Sequence, residues 1–284
     1  MTTERRAIDG ETRLMGVIGE GISYTLSPRL HNAAATQLGV NIAYLRLDTP
    51  AAAVPALLDA AWHLGAVGFN VTTPHKGLIA GLTPGDGRSS VNTLYRGANW
   101  WEAESTDGEG FANGLMRLGR AFDSFTELVV IGAGGAVRAI LSHRASLGGA
   151  LPKVRVLRRN AARDDLVRAA LPADADVTFA DLTVEALAVA LRGRGEGTLL
   201  IQATSAPQRG NDLVGLVPAL AAFAGVVADL VYGQPSALYA AARAKGLPAQ
   251  DGAAMLIEQA RLSQMLWWGR AATYEDLMAC LKGK

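Results

Sequence analysis

Leu128-Val-Val-Ile-Gly-Ala-Gly-Gly-Ala-Val-Arg138 is a short apolar run, a glycine-rich turn and the start of a helical pattern. Strand, turn and helix in that order open a dinucleotide-binding fold. The glycines let the backbone turn tightly and come close to a pyrophosphate, and the helix N-terminus offers N–H donors and a partial positive charge. Gly132 and Gly134 stand at the first two glycine positions of the G-x-G-x-x-G pattern, while Val137 stands at the third, where a larger residue separates helix from strand. Taken alone, this turn reads either as a nucleotide site or as a plain strand-to-helix connection.

The next strand bears on that choice. NAD-binding folds place an acid near its end to hold the ribose hydroxyls. Here Lys153-Val-Arg-Val-Leu-Arg-Arg-Asn160 ends in Arg158 and Arg159, with Arg163 one turn on, and Asp164 and Asp165 lie further into the following helix. Guanidinium groups suit a 2′-phosphate and do not replace an acid's bond to a 2′-hydroxyl. The run therefore points to NADP, against the alternative of a solvated basic surface in an arginine-rich chain.

Outward from this unit, strand patterns alternate with helical ones, which predicts an α/β protein with largely parallel sheets. Strands are expected at 14–18, 43–47, 66–70 and 91–95, then at 128–131, 154–157, 177–179, 199–202 and 226–229. Helices are expected at 28–39, 51–64, 135–147, 161–170, 183–191 and 253–268. Ser27 before Pro28 reads as an N-cap and Gly39 as the stop of that helix. The stretch 83–88, Thr-Pro-Gly-Asp-Gly-Arg, reads as a surface loop.

The bulk properties narrow the function classes. At 284 residues the chain is long enough for two domains. Its 50% hydrophobic and 19% charged residues are those of a globular protein, and a net charge of +1 gives no electrostatic case for nucleic acid or a membrane surface. Cys280 is the sole cysteine and the four histidines form no H-E-x-x-H pair, so neither a disulfide nor a metal centre is expected. The first thirteen residues are polar and lack the apolar core of a secretory signal, and no apolar stretch is long enough to span a bilayer, so a cytoplasmic protein is expected. Of the 27 basic residues only five are lysines, and Lys76 is the only one before Lys153.

Lys76 belongs to one of four clusters of short polar groups at strand ends: Thr25-Leu-Ser-Pro28, Asn70-Val-Thr-Thr-Pro-His-Lys76, Val91-Asn-Thr93 and Ser105-Thr-Asp-Gly108. Hydroxyls, amides and one Lys/Asp pair suit a polyhydroxylated carboxylate. Together with Ile131-Gly-Ala-Gly-Gly-Ala136, Ala203-Thr-Ser205 and Asp251-Gly-Ala-Ala-Met-Leu-Ile-Glu-Gln259, and in this order, the clusters make the chain resemble the shikimate dehydrogenase family (shikimate/quinate 5-dehydrogenases) from Met15 to about Gly269.

The resemblance implies an N-terminal α/β substrate domain (1–107 plus 252–284), a Rossmann NADP domain (108–251) and a catalytic cleft between them. It implies Lys76 and Asp107 as the catalytic pair, Thr25 and Ser27 on the substrate carboxylate, and Thr72, Asn92 and Gln259 on substrate hydroxyls. Gly132, Gly134, Gly135 and Ala136 would wrap the pyrophosphate, with Arg158, Arg159, Asn160 and Arg163 around the adenosine 2′-phosphate. Thr204 and Tyr232 would line the cofactor and nicotinamide side, where Tyr232 would also approach substrate. The implied reaction is reversible NADPH-dependent reduction of 3-dehydroshikimate to shikimate in aromatic amino acid (chorismate) biosynthesis, by a monomer or homodimer. The chain departs from the family at Thr25 (commonly Ser), Ser105 and Gln202 (both commonly Asn) and Ala254 (commonly Gly). These departures keep two rivals in view: a quinate or aminoshikimate dehydrogenase, possibly NAD-using, and a non-catalytic NADP- or metabolite-sensing protein of the same fold.

Overall fold

The computed structural model describes residues 8–84 and 90–282, and it divides the chain into two compact units, residues 1–106 with 257–284 and residues 107–256. Positions 85–88 of the expected surface loop and the first seven residues of the polar N-terminal stretch lie outside the described residues.

The first unit contains β1 (Arg13–Gly19), α1 (Ser27–Leu38), β2 (Ile42–Asp48), α2 (Val54–His63), β3 (Gly68–Val71), α3 (Lys76–Leu82), β4 (Thr93–Arg96) and β5 (Trp101–Glu104). Its sheet has the order β2-β1-β3-β4-β5. The first three strands are parallel; β4 and β5 turn back as an antiparallel hairpin, so this sheet is mixed rather than largely parallel. The expected strand at 91–95 is found at Thr93–Arg96; Asn92 just before it still bonds its neighbours, its N–H donating to the Glu104 carbonyl and its carbonyl accepting from the Val71 N–H. Gly39 does stop α1, in the left-handed conformation with φ 65°. Ser27 is not the N-cap: it is already the first helical residue, and the Thr25 hydroxyl accepts from its N–H at 3.4 Å.

The second unit begins with α4 (Asp107–Met116) and continues with β6 (Glu127–Ile131), α5 (Gly135–Ser146), β7 (Lys153–Arg158), α6 (Asp164–Arg168), β8 (Val177–Asp181), α7 (Val184–Leu191), β9 (Thr198–Gln202), β10 (Val226–Asp229), α8 (Ala237–Ala244) and β11 (Ala249–Gln250). The all-parallel order β11-β10-β9-β6-β7-β8 is that of a Rossmann fold. The strands read as continuous apolar runs because both sheet faces are covered: Val130, Ile140 and Leu199 lie in one core, and Val129, Leu200 and Leu220 in the other. Gly108 sets the approach of α4 to α5, since a Cβ there would stand 2.4 Å from that of His143 and 2.5 Å from the Ala139 carbonyl.

Helix α9 (Gly252–Trp268) runs from the second unit back into the first, and α10 (Tyr274–Lys282) follows it. Trp267 packs on the β1–β2 side of the first core and donates its indole N–H to the Leu94 carbonyl at 2.8 Å.

His31 lies fully buried beneath α1, stacked on Tyr44 with ring centroids 4.5 Å apart. Burial lowers its pKa from 6.5 to about 3, against a smaller opposing contribution from Asn70. Below pH 6.5 the unfolded chain binds a proton at this position that the native state refuses, so native stability is lost as pH falls from 6.5 towards 3. The limiting slope is about 1.4 kcal/mol per pH unit. His31→Gln is expected to flatten the fall in urea midpoint between pH 6.5 and 4.5; an unchanged pH profile would show that His31 is protonated in the native state.

Candidate active-site residues

Because β1, β2 and β3 are parallel, the segments after Gly19, Asp48 and Val71 all leave from one end of the first sheet. The register Asn70↔Thr93↔Glu104 brings the start of β4 and the end of β5 to the same end. Thr25, Ser27, Thr72, Lys76, Asn92 and Thr106 all lie in these segments, where open α/β sheets bind their ligands.

Thr25 and Ser27 stand together, their hydroxyl oxygens 3.3 Å apart. Thr72 starts a turn in which its N–H donates to the Ile18 carbonyl (2.9 Å) and its carbonyl accepts from His75 N–H (2.9 Å). The His75 ring is fixed by a 2.7 Å contact between Nε2 and the Thr49 carbonyl. Lys76, half-buried, is thereby presented as the first residue of α3. A cation there faces the positive end of the helix dipole, so helix stability does not explain it. Asp107 opens α4 at the end where a carboxylate is favourable, and it is buried.

Asn92 is the centre of a buried polar network in the first unit. Its Oδ1 accepts from the Thr106 N–H at 2.7 Å, and its Nδ2 donates to Thr106 Oγ1 (2.9 Å) and to Gln259 Oε1 (3.2 Å). Asn70 lies beside it: Oδ1 accepts from Tyr44 Oη at 2.6 Å, and Nδ2 donates to Ser263 Oγ at 3.0 Å and to the Asn92 carbonyl at 3.1 Å. Asn92 and Gln259 are residues that the family resemblance implies; Asn70, Thr106 and Ser263 join them only through the fold. The signal for Ser263 was its spacing: four residues after Gln259 on one helix, it shares that residue's face.

In the second unit, β6, β7, β9 and β10 likewise end at one edge. The strand order reverses between β6 and β9, and the segments that follow them meet at Gly132 and Thr204. Gly132 has φ 113°, open only to glycine at low cost, and a Cβ there would stand 3.1 Å from Thr204 Cγ2. Gly134 precedes α5, whose first-turn N–H groups face the turn. A cavity of about 270 Å³ lies against these loops, lined among others by Gly132, Arg159, Asn160, Arg163 and Thr204.

The arginines at this edge separate into two kinds. Arg158 is engaged by carboxylates: its Nε and Nη2 donate to Asp164 at 3.0 and 2.9 Å, Nη1 reaches Asp181, and the Asp164 bond raises its pKa further. It also lines the cavity, with three of its five N–H donors turned to these carboxylates. Arg159 and Arg163 make no ion pair among the described residues. Arg138, on the first turns of α5, was not singled out from the sequence. Its Nε is buried with no hydrogen-bond partner, and burial, then the neighbouring Arg163, lowers its pKa. The glycine at positive φ, the helix start and these guanidinium groups fit a phosphorylated dinucleotide. Asn160 caps the following turn by accepting from Ala162 N–H at 2.9 Å, and Tyr232 lies half-buried three residues after β10.

Among the described residues no cluster of three or more His, Cys, Asp or Glu side chains is arranged to hold a metal ion, and no helix is long and apolar enough to cross a membrane.

Residues 17–84 match the family model described as the shikimate dehydrogenase substrate binding domain. The chain is 32% identical to the shikimate dehydrogenase (NADP(+)) of Methanopyrus kandleri, over 95% of this chain and 94% of that one. It is 34% identical to the enzyme of the same name from Anaeromyxobacter sp. (strain K), over 98% of both. A crystal structure of a shikimate dehydrogenase in complex with NADP+ superposes with a TM-score of 0.81 at 25% identity, covering 97% of this chain and 96% of that one.

Replacing Asn92 by Leu removes the acceptor of the buried Thr106 N–H. The expected cost is about 1–3 kcal/mol, measured by urea denaturation; an unchanged midpoint would show that the network contributes nothing to holding the end of β5.

Proposed function

The chain belongs to the shikimate dehydrogenase family, and on that premise we propose that it catalyses the reversible, NADPH-dependent reduction of the ketone of 3-dehydroshikimate to shikimate. The observation that carries this reading is the gathering of Thr25, Ser27, Thr72, Lys76 and Asn92, with Gln259 hydrogen-bonded to Asn92, at the ligand-binding end of the first sheet. Hydroxyls and amides alone could bind a polyol; the added lysine supplies an exchangeable proton.

Thr25 and Ser27 hold the substrate carboxylate by hydroxyl donation. Asn92 and Gln259 orient ring hydroxyls, which take over from the 3.2 Å bond that the two amides share. Bound NADPH supplies the hydride that reduces the carbonyl carbon. Lys76 gives its proton to the developing alkoxide and recovers it in the oxidative direction, with Asp107 as its carboxylate partner in proton transfer. In the second unit the Gly132–Ala136 turn receives the pyrophosphate, and Arg138, Arg159 and Arg163 share the 2′-phosphate.

Lys76→Ala is expected to lower kcat by about 10²–10⁴-fold with a much smaller change in the substrate KM, read from absorbance at 340 nm. Near-normal turnover would remove Lys76 from the mechanism. Arg159→Ala and Arg138→Ala are each expected to lower kcat/KM for NADPH by about tenfold or more, the scale of a lost charged hydrogen bond, while rates with NADH stay level. Equal losses with both cofactors would place these arginines away from the 2′-phosphate. Crossing shikimate, quinate and aminoshikimate with NADP and NAD in the wild type tests the substrate itself.

A further inference from the structure

Gln202, at the end of β9, is fully buried, and its amide is oriented without ambiguity. Oε1 lies 2.6 Å from the Thr204 N–H and 2.8 Å from Thr204 Oγ1; Nε2 lies 3.2 Å from both the Thr204 carbonyl and Asp229 Oδ1. A flipped amide would set its NH₂ against a backbone N–H and its oxygen against a carboxylate, so only this orientation is satisfied. Asp229 is held in turn: Oδ1 also accepts from Val231 N–H at 2.8 Å, and Oδ2 accepts from the Ser236 hydroxyl.

A threonine hydroxyl has one proton, and Thr204 gives its proton to Gln202. What remains on Thr204 Oγ1 is lone pairs, and the residue lines the cavity with Arg159 and Arg163. An ionised phosphate carries no proton to offer such an oxygen, so Thr204 and the arginines must face different groups. Resting on the NADP reading above, we propose that Thr204 binds the cofactor as a hydrogen-bond acceptor, taking the 3′-hydroxyl proton of the adenosine ribose, and that Gln202 and Asp229 are the positioning residues that fix this polarity. With the 2′-position phosphorylated and neutralised by arginine, the 3′-hydroxyl is the donor that the same ribose retains. The Asp229 carboxylate polarises the Gln202 amide and makes its carbonyl a firmer acceptor for the Thr204 proton.

Isothermal titration of the full chain with adenosine 2′,5′-bisphosphate and its 3′-deoxy analogue tests this directly. Wild type is expected to bind the hydroxyl-bearing probe some 3- to 10-fold more tightly, the scale of one neutral hydrogen bond. Thr204→Val should abolish that ratio without changing affinity for the deoxy probe, and Thr204→Ser should keep it. Gln202→Met, which frees the Thr204 proton, should reduce the ratio while circular dichroism stays native. Equal weakening of both probes by Thr204→Val, or a wild-type ratio of one, overturns the proposal. Wild-type binding of the bisphosphate no tighter than 5′-AMP would overturn the NADP reading instead. The 3′-hydroxyl ratio would then be read with 5′-AMP and 3′-deoxy-5′-AMP, by the same criteria.

Discussion

Two adjacent parallel strands cannot be joined by a tight turn; the chain has to cross over and begin again at the starting edge. Every strand so placed ends at the same edge, and each ending there yields one loop. In the first unit this brings Thr25, Thr72 and Lys76 to one edge although 47 positions separate Thr25 from Thr72. The β4–β5 hairpin obeys the same geometry in reverse, entering and leaving at that edge, which adds Asn92 and Thr106. In the second unit the reversal of strand order between β6 and β9 leaves the Gly132 turn beside Thr204 with no strand between them.

Polar groups delivered to such an edge are partly buried, and burial is costly unless every donor and acceptor is matched. The first unit meets this with amides, which both donate and accept: Asn70 on β3 and Asn92 before β4 reach Tyr44 on β2, Thr106 after β5, and Gln259 and Ser263 on α9. The second unit uses a charge. Burial pushes the Asp229 carboxyl above its ordinary range, while bonds from Ser236, Val231 and Gln202 pull it back. A carboxylate gathers three donors at one point, and here those donors come from the last residue of β9 and from the segment following β10. An apolar residue at 229 would spare the desolvation cost but leave these segments with nothing in common to hold.

What the sequence displayed and what it hid follow the same physics. Strands buried on both faces announce themselves as apolar runs, so β6, β9 and β10 could be placed within a residue. The helices α3 and α4 could not: one carries Gly77 and Gly81, the other Gly108, Gly110 and Gly114, and intrinsic propensity opposes both. Helix α4 forms because Gly108 lets it lie close against α5, a tertiary gain that no local pattern expresses. The site motifs were legible as residues, but partner choice was not. Arg158 and Arg159 are adjacent and chemically identical, yet only Arg158 faces Asp164 and Asp181, which depends on the β7–β8 register. Arg138 was hidden for the opposite reason, since a helix-borne arginine ordinarily marks a solvated face.

The division of labour between arginine and lysine gains a physical basis from these placements. Where a planar fork can meet carboxylates the chain uses arginine, as at Arg155 and Arg194, which both engage the largely buried Glu127. Lys245 does what a planar fork does poorly: its ammonium fans three donors onto the carbonyls of Leu220, Ala221 and Phe223, at 2.6, 2.6 and 2.8 Å. Lys282 closes the last turn of α10, where the helix dipole favours a cation. Lys76 instead opens its helix, at the end where the dipole opposes a cation. In the reaction proposed above, the use of this cation is the proton it exchanges. Arginine, protonated up to a pH of about 12 and beyond, could hold the same position but could not give up a proton there.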